Sequence, residues 1–135
     1  MVWQVFLFFW ELPQNLAGIL SYFYFIRSVR ETKRVQHHLF CKVSPYSVSL
    51  GRFIFWSDYM HPDPGLSVRA HEYGHAVQSL MLGPLYLFVV GIPSALRHFY
   101  SSRYLKKHGT EWKGYFNGFP ENWADALGRK YFKDS

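Results

Sequence analysis

The chain has little of what would staple a small fold or carry it plainly across a membrane. Cys41 is its only cysteine, so no intrachain disulfide forms and no thiolate cluster can hold a metal. Any metal must be held by imidazole and carboxylate. Acidic residues are scarce: 9 Asp and Glu stand against 15 Lys and Arg, a net charge of +6. Between Val2 and Ile26 the one acidic residue is Glu11, set in ELPQN between two apolar runs that are each too short to cross a bilayer. The N-terminal MVWQVFLFFW has no basic n-region and no convincing small-residue cleavage site after it, so the segment is expected to stay on the protein. Internal repeats and low-complexity tracts are absent.

At 135 residues the chain has room for one domain with its own core, residues 1–135, and is short for two. Apolar residues gather in residues 1–30 and between Leu80 and Ile92 instead of spreading evenly. Such clustering suggests a membrane, not only a core. Basic residues follow both clusters: Arg27, Arg30, Lys33 and Arg34 after the first, Arg97, Arg103, Lys106 and Lys107 after the second. Anionic lipid headgroups are met in this way. No nucleic-acid module accompanies the charge, so nucleic acid is not expected as a partner. The reading is membrane association, with residues 1–30 as an apolar interface or anchoring segment. Two short interfacial helices are preferred there over one kinked span, because a charge at the centre of a span costs about 2.5 to 3.5 kcal/mol.

Residues 35–57, rich in β-branched and aromatic side chains with Ser-Pro and Leu-Gly breaks, predict two or three short strands. Asp63 with Pro64 then offers a cap and first turn for a helix that stops at Gly83-Pro84. Residues 106–119 read as loop, and Pro120 opens a final helix. The fold class is α+β.

The chemistry lies in His71-Glu72-Tyr73-Gly74-His75. Residues four apart share one helix face, so His71 and His75 can point at one ion, while Glu72 sits about 100° round and reaches a water on it. The division matches what zinc hydrolysis needs: two neutral nitrogens to hold the ion and a carboxylate to take a proton from bound water. Two histidines one turn apart are also what an ordinary polar helix face carries, and a third ligand separates the readings. No third His follows in AVQSLMLG, which rules out the metzincin arrangement. Downstream, PENWADALG offers Glu121 and Asp125 on one helix face. One carboxylate could sit on the metal and the other on the free ring N–H of a liganding histidine.

His-Glu-x-x-His followed by Glu-x-x-Ala-Asp resembles the gluzincin metallopeptidases, most closely the membrane-bound group of zinc-type CAAX prenyl endopeptidases and the bacterial heat-shock membrane protease. The match covers two helices of a chain much shorter than those relatives. The resemblance implies a minimal zincin-like fold: a short antiparallel sheet, then the His71–His75 helix, then the Glu121–Asp125 helix. It implies that His71, His75 and Glu121 bind Zn2+, that Glu72 is the general base and that Asp125 orients His71. It also implies a peptide or protein substrate; an extended peptide could pair along the strand Phe53–Trp56, as on zincin edge strands, and an ordinary core or lipid-facing strand is at least an equal reading of that segment.

If zinc joins His75 to Glu121, residues 80–100 cannot cross a bilayer, because nothing between 101 and 120 is apolar enough to return the chain. Gly83-Pro84, Gly91 and Pro93 instead suit an interfacial or re-entrant hairpin. The basic segments place the site on the cytoplasmic side. For the oxyanion donor, Tyr104, Tyr115, His98 and His108 stand in the right part of the chain and none is singled out. His37, His38 and His61 have no partner at ligand spacing and are expected to be structural. The binding-class alternative is a membrane-surface adaptor in which zinc only staples the fold.

Overall fold

The computed structural model describes residues 2–43, 47–57 and 65–133. Its elements are helices α1 (Val2–Trp10) and α2 (Leu12–Phe25), strands β1 (Glu31–Val35), β2 (His38–Lys42), β3 (Val48–Leu50) and β4 (Phe53–Trp56), and helices α3 (Val68–Leu82), α4 (Ile92–His108) and α5 (Glu121–Tyr131). The architecture is α+β, with the sheet sandwiched between α2 and α3.

Alternation along the two central strands explains the sandwich. Phe40 of β2 and Ile54 of β4 point toward α3 and pack with Tyr73 and Ala76. Cys41 and Phe55, one residue on, point the other way among Tyr22, Phe25 and Val29. Period-two side chains buried on both faces need a continuous apolar run, and FIFW supplies it.

The sheet is not the antiparallel one expected. Its order is β1-β2-β4-β3, and β2 pairs with β4 in parallel. After β2 the chain lays β3 at the outer edge, and the two-residue turn Gly51-Arg52 folds β4 back into the gap. Asn15 Oδ1 accepts from the Arg52 backbone N–H at 2.8 Å and holds that turn against α2. Phe53–Trp56 is therefore an interior strand, paired on both sides, and has no open edge for a peptide. β1 escaped notice because four of its five residues are exposed and polar, as an edge strand that resists further pairing should be.

α3 begins later than Asp63-Pro64 suggests; that pair lies outside the described residues, as does His61. Ser67 is the cap, its Oγ accepting from the Ala70 N–H at 3.1 Å. The helix stops where expected, at Gly83, whose φ of 56° is open to glycine and strained for other residues. Trp10 also packs on Gly83, so a Cβ there would lie 2.2 Å from its ring.

Residues 83–108 form one rod and not a hairpin. A 3-10 turn (Gly83–Leu85) leads through a π turn (Leu87–Gly91) into α4. Pro93 falls in the first turn of α4, where a missing N–H is not needed. The helix runs on to His108 and takes in the start of the expected loop. No helix among the described residues is long and apolar enough to cross a membrane.

Candidate metal centre

α3 and α5 lie together because small residues line their contact. A Cβ added at Gly74 would fall 1.8 Å from the Ala124 carbonyl oxygen, and one at Gly128 would fall 2.2 Å from that of Ala70. Backbone touches backbone at both points, and the side chains between them are drawn to one place. Those side chains are His71 and His75 from α3 and Glu121 and Asp125 from α5.

Both histidines aim Nε2 at the same oxygen. Glu121 Oε2 is 3.0 Å from His71 Nε2 and 3.0 Å from His75 Nε2. One donor atom from each of the three lies within 4.8 Å of the others, close enough to bind a metal ion. All three are buried.

The second nitrogen of each ring is held from behind. His71 Nδ1–H donates to Asp125 Oδ1 at 2.6 Å, the pairing the resemblance implied. His75 Nδ1–H donates to Gln78 Oε1 at 2.8 Å, and Gln78 Nε2 in turn donates to the Pro120 carbonyl at 3.1 Å. The Pro120 bond fixes which end of the amide faces the histidine, and ties His75 to the residue before Glu121. With each Nδ1 bonded from behind, Nε2 is the ring atom turned to the common point, and it offers a lone pair there once it carries no proton. Gln78 was missed in the sequence, although with Ser79 it is one of two polar residues a turn beyond His75.

Charge makes the same case. Glu72, Glu121 and Asp125 bring three carboxyl groups to two histidines in a buried cluster, an arrangement a divalent cation relieves. Burial disfavours a charged His71, but its hydrogen bonds to Asp125 and Glu121 prevail and raise it to about 10. Burial likewise opposes ionisation of Glu121, and the bonds from His71 and His75 hold it well below the carboxylate range. Glu72 is raised by burial, against the pull of the two histidines. Among the described residues no hydrogen bond ties its carboxyl down.

The site has a cover. Ser94 Oγ, in the first turn of α4, donates to Glu121 Oε1 at 2.5 Å. Arg97, one turn on, spans the Gly114 and Tyr115 carbonyls at 2.6 and 2.8 Å and lies 5.0 Å from the centre of the Trp112 ring. Segment 112–117 is thereby pinned beside the cluster, with Phe116 edge-on to His71 at 5.1 Å.

Of the four donors offered by the sequence, Tyr115 reaches the site, its phenol lying beside Ser94 and Glu121. Burial and the nearby carboxylates push this phenol far above its ordinary value, so it stays protonated. Tyr104 and His108 pack on each other at 4.3 Å near the far end of α4, and His98 is exposed. His38 is buried against Tyr73 with Nδ1 on the Gln36 carbonyl, a core role, and His37 is exposed in the β1–β2 turn.

No protein-family model matches this chain, and no curated protein and no solved structure matches it either.

Proposed function

We propose that the protein is a zinc-dependent endopeptidase working in contact with a membrane, its site toward the cytoplasm. His71, His75 and Glu121 are the ligands, Glu72 is the general base and Asp125 orients His71. A minimal zincin-like fold, with α3 and α5 as the two motif helices, is part of the same reading. One observation carries it: two imidazole nitrogens and a carboxylate oxygen converge within 4.8 Å, with the untied Glu72 carboxyl on the next residue of the same helix. Three such ligands on a tetrahedral ion leave a position open, which is how catalytic zinc is held.

Zinc, when bound, supplies the Lewis acidity that polarises a scissile carbonyl and acidifies the attacking water. Glu72 takes the proton of that water and passes it to the leaving amine. Its buried surroundings make the ionised carboxylate a stronger base than an exposed glutamate. Tyr115, a protonated phenol beside Glu121, is our candidate for the hydrogen bond to the developing oxyanion. Gln78 and Asp125 keep both rings turned to the ion. Gln78→Leu and Asp125→Ala should each weaken zinc binding about 10- to 100-fold with the helical content unchanged, measured by competition with a chelating indicator. Wild-type affinity in both would remove these residues from the site.

The burial of the three ligands favours a second reading, an adaptor whose zinc is structural. Metal content tests the shared premise. Purified wild type should carry about one zinc per chain and Glu121→Ala much less; no zinc in reconstituted wild type ends both readings.

The sign of the pH dependence follows from His71. With its pKa raised to about 10, the ring is protonated at neutral pH, while zinc requires a bare Nε2. Raising the pH removes the competing proton, so affinity should climb about tenfold per unit between pH 6 and 8, with about one proton released per zinc. Calorimetry in buffers of different ionisation enthalpy counts that proton; none released would mean that the His71 ring is already neutral before zinc binds.

A further inference from the structure

Two stretches of this protein turn large apolar residues the wrong way for water. Apart from Val48, Phe119 and Tyr131, every exposed large apolar side chain among the described residues falls within 2–26 or 81–105. At the α1–α2 junction the inversion is complete. Glu11, Gln14 and Asn15 are 0% exposed, whereas Trp3, Phe9, Leu20 and Phe23 stand outside.

The buried polar trio is used internally. Ser79 Oγ donates to Glu11 Oε1, Gln14 Nε2 donates to Ser79 Oγ and to the Gly83 carbonyl, and Asn15 Nδ2 donates to the Phe8 carbonyl. Surface helices in water show the reverse pattern. Polar groups turned to the protein and hydrocarbon turned out is the arrangement lipid demands.

The rod from residue 85 repeats the inversion. Leu85, Phe88, Ile92, Leu96 and Phe99 follow at three- and four-residue steps and are 51–68% exposed, while the opposite face of the rod holds Ser94 and Arg97 to the site. The stripe then turns basic. The Arg103 guanidinium lies 5.5 Å from the Phe99 ring centre, and Lys106 and Lys107 follow. A groove of about 780 Å³ along these turns is lined by Phe99, Arg103, Tyr104 and Lys107 among others, aromatic walls with cationic rims. The α1–α2 face ends in the same way, at exposed Arg27 and Arg30. The two faces adjoin, because the Trp10 indole donates to the Leu80 carbonyl at 2.9 Å and packs on Gly83, between exposed Met81 and Leu85.

We infer that α1, α2 and the outer face of residues 85–107 form one docking surface that beds into the interface of an anionic phospholipid bilayer, the basic helix ends meeting the phosphates. No helix among the described residues is both long and apolar enough to cross, and one-sided apolar faces ending in basic residues are what helices lying on a membrane present. Charge chooses lipid over a second copy of the chain, since a copy would bring like charges together at these helix ends. The inference deepens the membrane part of the proposed function and is independent of zinc.

Flotation of the full chain with vesicles of phosphatidylcholine alone, or with about a third phosphatidylglycerol, tests it. Binding is expected to the anionic vesicles and to fall at least about tenfold in Lys106→Glu/Lys107→Glu. Leu96→Asp/Phe99→Asp should lose binding while zinc content and circular dichroism stay at wild-type values. Three outcomes would overturn the assignment: no flotation with either lipid, equal binding to neutral vesicles, or a wild-type dimer in sedimentation that Leu96→Asp/Phe99→Asp dissolves. Zinc content, read on the same samples, reports separately on the peptidase reading.

Discussion

Glu72→Gln is expected to bind zinc as tightly as wild type and to lose at least about a hundredfold in peptide hydrolysis. The amide keeps the size of the side chain and takes no ligand away, since the three converging donors belong to His71, His75 and Glu121. What it removes is, among the described residues, the one carboxyl of this cluster that is neither among the three converging donors nor bonded to one. A general base contributes about 10²- to 10⁴-fold, and here no second group stands ready, because Asp125 is engaged by His71 at 2.6 Å. The change also removes a buried ionisable group, so Glu72→Gln should be no less stable than wild type. Cleavage of a peptide library by zinc-loaded protein, read by mass spectrometry, supplies substrates; kcat/KM and metal content are then compared for both proteins. Equal cleavage would discard the mechanism. A zinc-bound wild type that cuts nothing in the library would move the adaptor reading to first place.

Gly74→Val should cost about 3 kcal/mol or more and take the metal site with it. The reason is geometric. A Cβ at Gly74 meets the backbone of Ala124, not a side chain that could swing aside, so relief requires α3 and α5 to part. Ala124 is fully buried and lies three residues from Glu121, so parting the helices withdraws the third ligand as well as opening the core. Gly91→Ala is the matched control: its Cβ would have Leu87 Cδ2 as nearest neighbour at 3.5 Å, an ordinary contact, and alanine gains helix propensity there. Urea denaturation with zinc analysis distinguishes the two. If Gly74→Val unfolded at the same urea concentration as Gly91→Ala and kept its zinc, the close α3–α5 contact would not be what assembles the site.

Much of the site was legible because its first half is local. His71 and His75 share a face through the helical repeat, and Glu121 and Asp125 do so on the second helix. Local signals also placed the end of α3 and the opening of α5 at Pro120. Failures came where pairing is distant. A strand pattern says that Ile54 and Phe55 face opposite sides, but not which strands flank them, so an open edge and an ordinary core strand both fitted β4. The π turn before Pro93 carried the rod through Gly91 and Pro93, residues that read as breaks. Ser94 and Arg97 act on groups 17 to 27 residues away, beyond the reach of any local pattern, and Gln78, only three residues from His75, is anchored to Pro120 42 residues on.

What the sequence by itself determined is the chemistry on offer. A single cysteine excludes thiolate sites, and the four-residue spacing presents two imidazoles with a glutamate beside them. The clustering of apolar and basic residues showed how much hydrocarbon the chain carries next to cationic charge. Only the tertiary structure decided that Glu121 reaches both histidines at 3.0 Å while Asp125 and Gln78 stand behind them. It alone decided that Glu11, Gln14 and Asn15 turn inward and leave the aromatic residues of α1 and α2 outside. The division has one physical cause. Helix geometry ties side chains a turn apart through the backbone, whereas the approach of α3 to α5, and of α1 and α2 to α3, depends on distant residues small or polar enough to meet. Gly74 against Ala124, and Glu11 against Ser79, are such meetings.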